Sequence, residues 1–417
     1  MRVGLISCWY KEKSCGMFAH NLAHALEELG VEISVVSANC LCFRDDPFFS
    51  DLFFSPCRTV KFADFYWEPA PKAVNYVRSI GELSGDALKG YAYLKKAQSL
   101  PLLHYQQTQG SFGFLPLLSF LAYPTQAKRV VAIHEIDAVQ KQLKVRSRSF
   151  PTVWLNKIYH KADAVIVQTK AAKEALECLD VDTTKVHVIP HGTHIPKLNS
   201  SDNALDNTNA SDNTLDISPN RYQMVFCGGH HLTSGKGFDV FLKALLILKE
   251  QNITPNVMIY GLNSAYGQGQ GQQLICELGV GNRIKWFDYK SDDSLFEELQ
   301  RALCMIIPYT TSEAGSAVTA AMANAVPVIA TARVGLPEYL AEGGLYIEED
   351  NPQDLADKIL HLIQNPGLRE TLGMQLYHRA SEWYSWETIA RKTLDLYMSL
   401  LWGGSQGIKV NPAVIKC

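Results

Sequence analysis

Short runs of β-branched and apolar residues alternate with amphipathic stretches along nearly all of this 417-residue chain. Val3–Ser7 is short and apolar, and a Gly-containing turn follows at Ser14-Cys15-Gly16. Met17–Leu29 then carries apolar residues near helical spacing and ends at Gly30, and Val31–Val36 is strand-like again. Strand, turn, helix and strand in that order open a doubly wound parallel sheet, because parallel neighbours need a crossover and the crossover is right-handed. Val130–Ile133, Ala164–Val167 and Val186–Ile189 are further buried-strand candidates, with a helix predicted over Lys170–Leu179.

The alternation breaks once. Asn199–Asn220 is rich in Asn, Asp, Ser and Thr and contains no aromatic residue. Such a segment cannot bury a core, so a flexible connection is expected there. The pattern then resumes with Met224–Phe226, a Gly-rich turn, Phe238–Glu250, Asn256–Tyr260, Arg283–Phe287, Leu303–Ile307 and Val326–Ala330. Two doubly wound α/β domains around a cleft are therefore expected, with ligands beyond the carboxyl ends of the strands.

Composition narrows the function. Apolar residues make up 47% and charged residues 19%, ordinary for a globular protein. The net charge of −3 gives no reason to expect nucleic acid. No apolar run reaches the roughly 18 residues of a membrane span, since Pro101, His104 and Pro116 interrupt the most apolar stretch. The N-terminus Met1–Ile6 leads straight into a strand without the pattern of a signal peptide. The two N-x-S/T matches inside the polar segment, at Asn199 and Asn209, are accordingly not read as glycosylated. The ten cysteines are scattered, with no C-x-x-C, and read as reduced thiols of a cytosolic protein.

Two turns carry the chemistry. In Phe226–Phe238 a strand enters a Gly-rich turn with Gly228, Gly229, His230 and His231, and Lys236 stands at the start of a helix. Glycines let backbone approach a phosphate, helix-start N–H groups attract anions, and the lysine adds a full charge. Gly237 follows the lysine where a Walker A loop would have Ser or Thr, so it is not that loop. In Pro308–Ala323 a buried strand ends, Glu313 precedes Gly315, and an Ala-rich helix opens that something must approach closely. Glu313 suits either the helix dipole or a role as acceptor for sugar hydroxyls.

Together these segments resemble the family 4 glycosyltransferases of the GT-B fold, retaining enzymes that use nucleotide-sugar donors. Ser14–Leu29 resembles the family's first turn and helix, and Val130–His134 the strand ending in its histidine. Ala162–Thr169 resembles its "ADxVxxxS" strand and Val188–Gly192 its "VIPNG" turn. Lys236-Gly237 resembles "KG", Glu313–Ala330 "EGFG…EAMACGxPVIA", Gly335–Glu338 "GGxPE", and Trp386-Glu387 the closing "SWE" helix. The resemblance implies an α/β GT-B architecture: an acceptor-binding Rossmann-like domain over 1–198, completed by a helix near 385–402. A polar linker over 199–220 and a nucleotide-sugar-binding Rossmann-like domain over 221–384 make up the rest.

It also implies roles. Lys236, one of the histidines, and the backbone N–H groups of Gly315, Ser316, Ala317 and Val318 hold the leaving diphosphate in place of a metal. Glu313 holds sugar hydroxyls, His134 sits by the anomeric region, and Gly16 lets the first loop close over the diphosphate. Tyr289 and Lys290 resemble the base-contacting turn. No cofactor or metal is implied, and UDP-glucose is the preferred donor. Two departures stand out: Ala321 occupies the place of the family's second glutamate, which accepts from the ribose, and Gly229-His230-His231 stands where Gly-Arg is usual. Either His230 or His231 is the arginine's replacement. Ala321 also keeps open the alternative of a nucleotide-sugar-binding protein with degenerate catalysis.

A metal-dependent class would use D-x-D, and the one match, Asp180-Val181-Asp182, lies in an ordinary connection. Glu135 and Asp137 are alternative polar groups beyond His134. Residues 1–200 hold 23 Lys+Arg against 18 Asp+Glu, so the first half is basic and the rest acidic. With the basic run Lys141–Arg148 and the aromatics of Phe48–Phe54, this fits contact with the inner membrane face and a saccharide or lipid-linked acceptor. The overall likeness is to cyanobacterial exopolysaccharide enzymes, including those of the heterocyst envelope.

Overall fold

The computed structural model describes residues 1–7, 14–36, 100–107, 120–121, 124–134, 159–178, 181–198, 214–215, 223–227, 234–260, 273, 275–287, 298–299, 302–310, 315–333 and 335–403. The two expected doubly wound domains are present. In the first, β1 (Arg2–Ile6), β2 (Glu32–Val36), β3 (Leu102–Gln107), β4 (Lys128–Ile133), β5 (Ala164–Val167) and β6 (Val186–Val188) form one sheet in the order β2-β1-β3-β4-β5-β6. Every neighbouring pair is parallel. Strands buried on both faces need continuous apolar runs, which is why Val3, Leu5, Val130, Val131, Ala164 and Val165 are all enclosed. Helix α1 (Ser14–Glu28) turns Phe18, Leu22 and Leu26 onto this sheet.

Helix α1 begins three residues before Met17, so Gly16 lies in its first turn and not in a preceding turn. A glycine is tolerated there because the first-turn N–H groups lack intrahelical acceptors anyway. Helix α2 (Lys170–Glu177) follows β5, capped by Thr169, whose side chain accepts from Ala172 N.

Between the two sheets, β7 (Lys197–Leu198) pairs in parallel with β8 (Thr214–Leu215), so the polar segment expected as a plain connection contributes one short pairing. The second sheet is built from β9 (Gln223–Cys227), β10 (Asn256–Tyr260), β11 (Ile284–Phe287), β12 (Ala302–Ile307), β13 (Val328–Thr331) and β14 (Gly344–Ile347). Its order, β11-β10-β9-β12-β13-β14, is the 3-2-1-4-5-6 order of a dinucleotide-type Rossmann sheet, with the strand order reversing between β9 and β12. Helices α3 (Phe238–Glu250), α4 (Gly315–Ala323), α5 (Leu336–Leu340), α6 (Pro352–Gln364) and α7 (Pro366–Trp383) accompany it. Strand β13 starts after Pro327, two residues later than the apolar run, because proline cannot donate to a ladder.

Two chain crossings lie side by side. Thr193 N donates to Tyr384 O (2.8 Å) and Trp386 N to Thr193 O (3.2 Å). The chain then enters α8 (Trp386–Trp402), capped by Ser385, whose Trp386, Ile389, Leu396 and Tyr397 pack in the core of the first sheet with α1. Among the described residues, no helix is long and apolar enough to cross a membrane. Cys178, Cys227, Cys276 and Cys304 are not joined in disulfides, and burial pushes the Cys304 thiol up to about 12.

Candidate active site

The reversal point of the second sheet is knitted together by the segments that follow β9 and β12. Tyr309, the second residue after β12, donates its hydroxyl to Cys227 O at the end of β9. Burial raises the Tyr309 pKa well above that of a free phenol, so the hydroxyl keeps its proton. Thr310 N donates to Gly235 O (3.0 Å). Lys236 closes the 3-10 turn Ser234–Lys236, with Nζ 3.9 Å above the centre of the Tyr309 ring, a cation–π contact. Gly237 has φ 62°, and a β-carbon there would stand 2.2 Å from Pro308 O. Only glycine allows this turn to pass so close to β12, which explains the Lys-Gly pair.

Helix α4 starts at Gly315 just beyond β12. By helix geometry the N–H groups of Gly315, Ser316 and Ala317 lack intrahelical acceptors, whereas Val318 is the first that has one. A β-carbon at Gly315 would lie 2.8 Å from Gln168 Oε1 and 3.0 Å from His191 Cβ, so the start of α4 meets the strand ends of the first sheet. The remainder of α4 is buried against the sheet and α7, and Ala321 is fully enclosed in that core. The close approach expected at this Ala-rich helix is therefore partly that of neighbouring core residues.

On the first sheet, His134 follows β4 directly. Its Nε2 donates to Gln106 Oε1, and its Nδ1 accepts from Gln168 Nε2 (2.8 Å). The Phe18 ring meets it edge-on at 4.6 Å. Burial pushes the His134 pKa down to about 3, and His191 and His104 push in the same direction. His191, in the turn after β6, donates Nδ1–H to Gly192 O (2.7 Å) and lies 5.5 Å from the Trp386 ring. Its pKa is pushed down to about 4 by burial. A neutral, polar wall results.

The domains are tied beside this wall. Glu338 of α5 accepts from Lys170 N (2.7 Å) and Ala171 N (2.8 Å) at the start of α2, and His191 N donates to Tyr339 Oη (3.2 Å). Sequence reasoning gave no role to Gln106, His104, Gln168, His191 or Glu338. Gln168, His191 and Glu338 lie inside the quoted motifs, so their positions were visible but their partners were not.

Glu313, Gly229, His230, His231, Tyr289, Lys290, Glu135, Asp137, the basic run at 141–148, the aromatics at 48–54 and Asp180 lie outside the described residues. Asp182 caps the turn Thr183–Lys185 by accepting from Thr184 N (3.0 Å). Among the described residues, no three His, Cys, Asp or Glu side chains gather into a set that could hold a metal ion.

Solved structures with this architecture define the fold as GT-B. Sucrose-phosphate synthase from Thermosynechococcus elongatus matches with a TM-score of 0.72 at 20% identity, over 97% of this chain and all of that one. HepE from Anabaena, solved in complex with UDP-glucose, matches at 0.65 and 16%, over 96% of this chain and all of that one. The family model for glycosyl transferases group 1 matches residues 212–379, and that for the glycosyl transferase 4-like domain matches residues 15–192. The chain belongs to this glycosyltransferase family. Among curated relatives, D-inositol 3-phosphate glycosyltransferase of Corynebacterium urealyticum is 28% identical over 252 residues, 58% of each chain. The same enzyme of Nocardioides is 26% identical over 58% of this chain and 54% of its own. The chain thus spans a little over half the length of these relatives.

Proposed function

We propose that this chain is a retaining, metal-independent hexosyltransferase that moves glucose from UDP-glucose onto a saccharide or lipid-linked saccharide in cell-surface polysaccharide synthesis. The observation that carries the reading is Lys236 and the start of α4 at the same reversal point of a Rossmann sheet. Breaking the anomeric C–O bond leaves negative charge on the diphosphate. Lys236 and the N–H groups of Gly315, Ser316 and Ala317 are fixed donors for that charge. Glu313 takes the donor's sugar hydroxyls, and the neutral wall at His134 faces the sugar. No carboxylate is assigned as a covalent nucleophile, so the incoming hydroxyl attacks on the face that the diphosphate leaves, and its proton passes to the departing diphosphate oxygen. UDP-glucose is chosen because HepE, similar in fold, is described in complex with it. Work at the inner membrane face fits the charge difference between the two halves of the chain.

A thermal-shift screen of UDP-, GDP- and ADP-sugars followed by hydrolysis assays tests this. UDP-glucose is expected to stabilise most and to be hydrolysed with its anomeric configuration kept, at equal rates in excess EDTA and in added Mg²⁺ or Mn²⁺. Strict metal dependence would overturn the leaving-group account. Stabilisation with neither hydrolysis nor transfer would favour a nucleotide-sugar-binding protein, the reading to which Ala321 points.

A further inference from the structure

A line of buried hydrogen bonds runs from α8 through the first sheet to the cleft. Tyr397 Oη and His104 Nδ1 are 2.5 Å apart, and Gln106 Nε2 lies 3.1 Å from His104 Nε2. Gln106 Oε1 meets His134 Nε2, and Gln168 Nε2 meets His134 Nδ1 at 2.8 Å. His104, Gln106 and Tyr397 are all but fully enclosed. A buried polar chain of this kind is costly unless every member is paired.

The amides give the line a direction. The Gln106 Nε2 donates to His104 Nε2, so His104 carries its proton on Nδ1 and donates it to Tyr397 Oη. The Gln106 oxygen can only accept, so His134 carries its proton on Nε2. His134 Nδ1 is then the acceptor for Gln168 Nε2, and a second proton on that ring would point at the amide hydrogens of Gln168. Both ring nitrogens of His134 are thus spent on the protein.

We propose that Gln106, with Gln168 on its other side and His104 and Tyr397 behind it, is a positioning residue that locks His134 as a neutral Nε2–H imidazole. His134 then serves the donor site as a fixed polar wall and neither gives nor takes a proton. This rests on the reading of the cleft as the nucleotide-sugar site. Among the described residues, the titratable groups facing His134 are His104 on β3, through Gln106, and His191 after β6; α1 presents Phe18. The strongly lowered pKa of His134 agrees with the lock.

Ring-nitrogen spectra of the full chain labelled with ¹⁵N-histidine test it, with the His134 signals identified by their loss in His134→Asn. In the unmodified chain His134 should be protonated on Nε2 alone and unchanged between about pH 5.5 and 8.5, a window around the ordinary histidine pKa. Gln106→Glu places a carboxylate beside that N–H. It should bring a His134 titration into this window, with the same inflection appearing in kcat for UDP-glucose while KM changes about twofold or less. Tyr397→Phe removes only the far hydroxyl; it should leave the fold intact, mix the two His134 tautomers and lower kcat about threefold, within the worth of one hydrogen bond. A His134 that titrates in the window in the unmodified chain, or is protonated on Nδ1, overturns the proposal. So does a Gln106→Glu ring titration with no counterpart in kcat. If no nucleotide sugar is turned over at all, the spectra still decide whether Gln106 fixes the ring, and only the donor-site reading falls.

Discussion

The strand ends of the two sheets meet at Gly315, yet they are made of different chemistry. Those of the second sheet bring a lysine, a left-handed glycine and a helix start to one point. Those of the first bring His134, Gln168 and His191, buried or half-buried, neutral and hydrogen-bonded to protein. A group that must hold a leaving anion gains from fixed charge and N–H dipoles that need no reorganisation. A surface that must pass a neutral sugar gains from having no charge to compete. On the function proposed above, the cleft divides these two tasks between its walls.

The sharpest way to break that division is to remove its charge. Lys236→Ala should lower turnover about 100- to 1000-fold, the usual loss for one preorganised donor, while Lys236→Arg keeps a larger share. A loss under tenfold, or an equal loss from Gln168→Leu on the opposite wall, would mean that charge is not concentrated on the second domain.

Next in size is Ala321→Glu. Restoring the family's second carboxylate would tighten ribose binding if the position opened on the cleft. Ala321 is instead fully enclosed between the sheet and α7. An unpaired carboxylate there should cost about 3 kcal/mol or more, read as a lowered urea midpoint or as insoluble protein. Tighter nucleotide binding with unchanged stability would show that α4 turns this face to the ligand.

Acid separates the walls further. His104 and His191 are buried with pKa values pushed down to about 3 and about 4, below the ordinary value of 6.5. Above pH 6.5 both are neutral folded or unfolded and contribute no pH dependence. Below it the unfolded chain binds protons that the folded chain does not, so stability falls as pH drops towards 4. Each ring contributes up to about 1.4 kcal/mol per pH unit. Urea unfolding followed from pH 7.5 to 4.5 should show the first domain losing stability more steeply, and His104→Gln should flatten the slope. An unchanged slope would place the acid-sensitive groups elsewhere.

The same contrast governs what could be read in advance. The lysine turn was legible as a turn, because glycines and a lysine between a strand and a helix mark a tight bend, and Gly237 does pass close to Pro308. The pattern alone suited a plain structural turn as well as a phosphate site. The neutral wall was not legible. Strand β3 alternates Leu103 and Tyr105 with His104 and Gln106, and a pattern reading treats the polar set as a solvent face. Here both sets are enclosed, because the polar set pairs with itself and with Tyr397 almost 300 residues away. No local signal announces such a partner. Gly16 was placed in a turn for a related reason: a glycine near a helix start looks the same on either side of the boundary. Glu338 was noticed as part of a motif, but only the assembled fold shows which helix it caps.

The smallest effect concerns that cap, and it bears on both walls. Two helix starts stand at the cleft. That of α4 faces Gln168 and His191, whereas that of α2 is filled by a carboxylate from the opposite domain. Glu338 satisfies Lys170 N and Ala171 N, and Thr169 satisfies Ala172 N, so the first turn of α2 has no donor left for a substrate anion. Glu338→Gln keeps one acceptor oxygen but loses the charge and the second contact. A loss of about 0.5–1 kcal/mol is expected, the range for helix caps and charge–dipole pairs at surface sites. Glu338→Ala, which removes both acceptors, should cost about twice that. Because the bond joins the two domains, the loss should appear in the first unfolding transition. High salt should shrink the difference between the unmodified chain and the Glu338→Gln variant by screening. Equal midpoints for the unmodified chain and Glu338→Ala would mean that water serves the α2 start as well as the carboxylate does. The two helix starts would then differ in position alone, and the assignment of anion binding to the second wall would rest on Lys236.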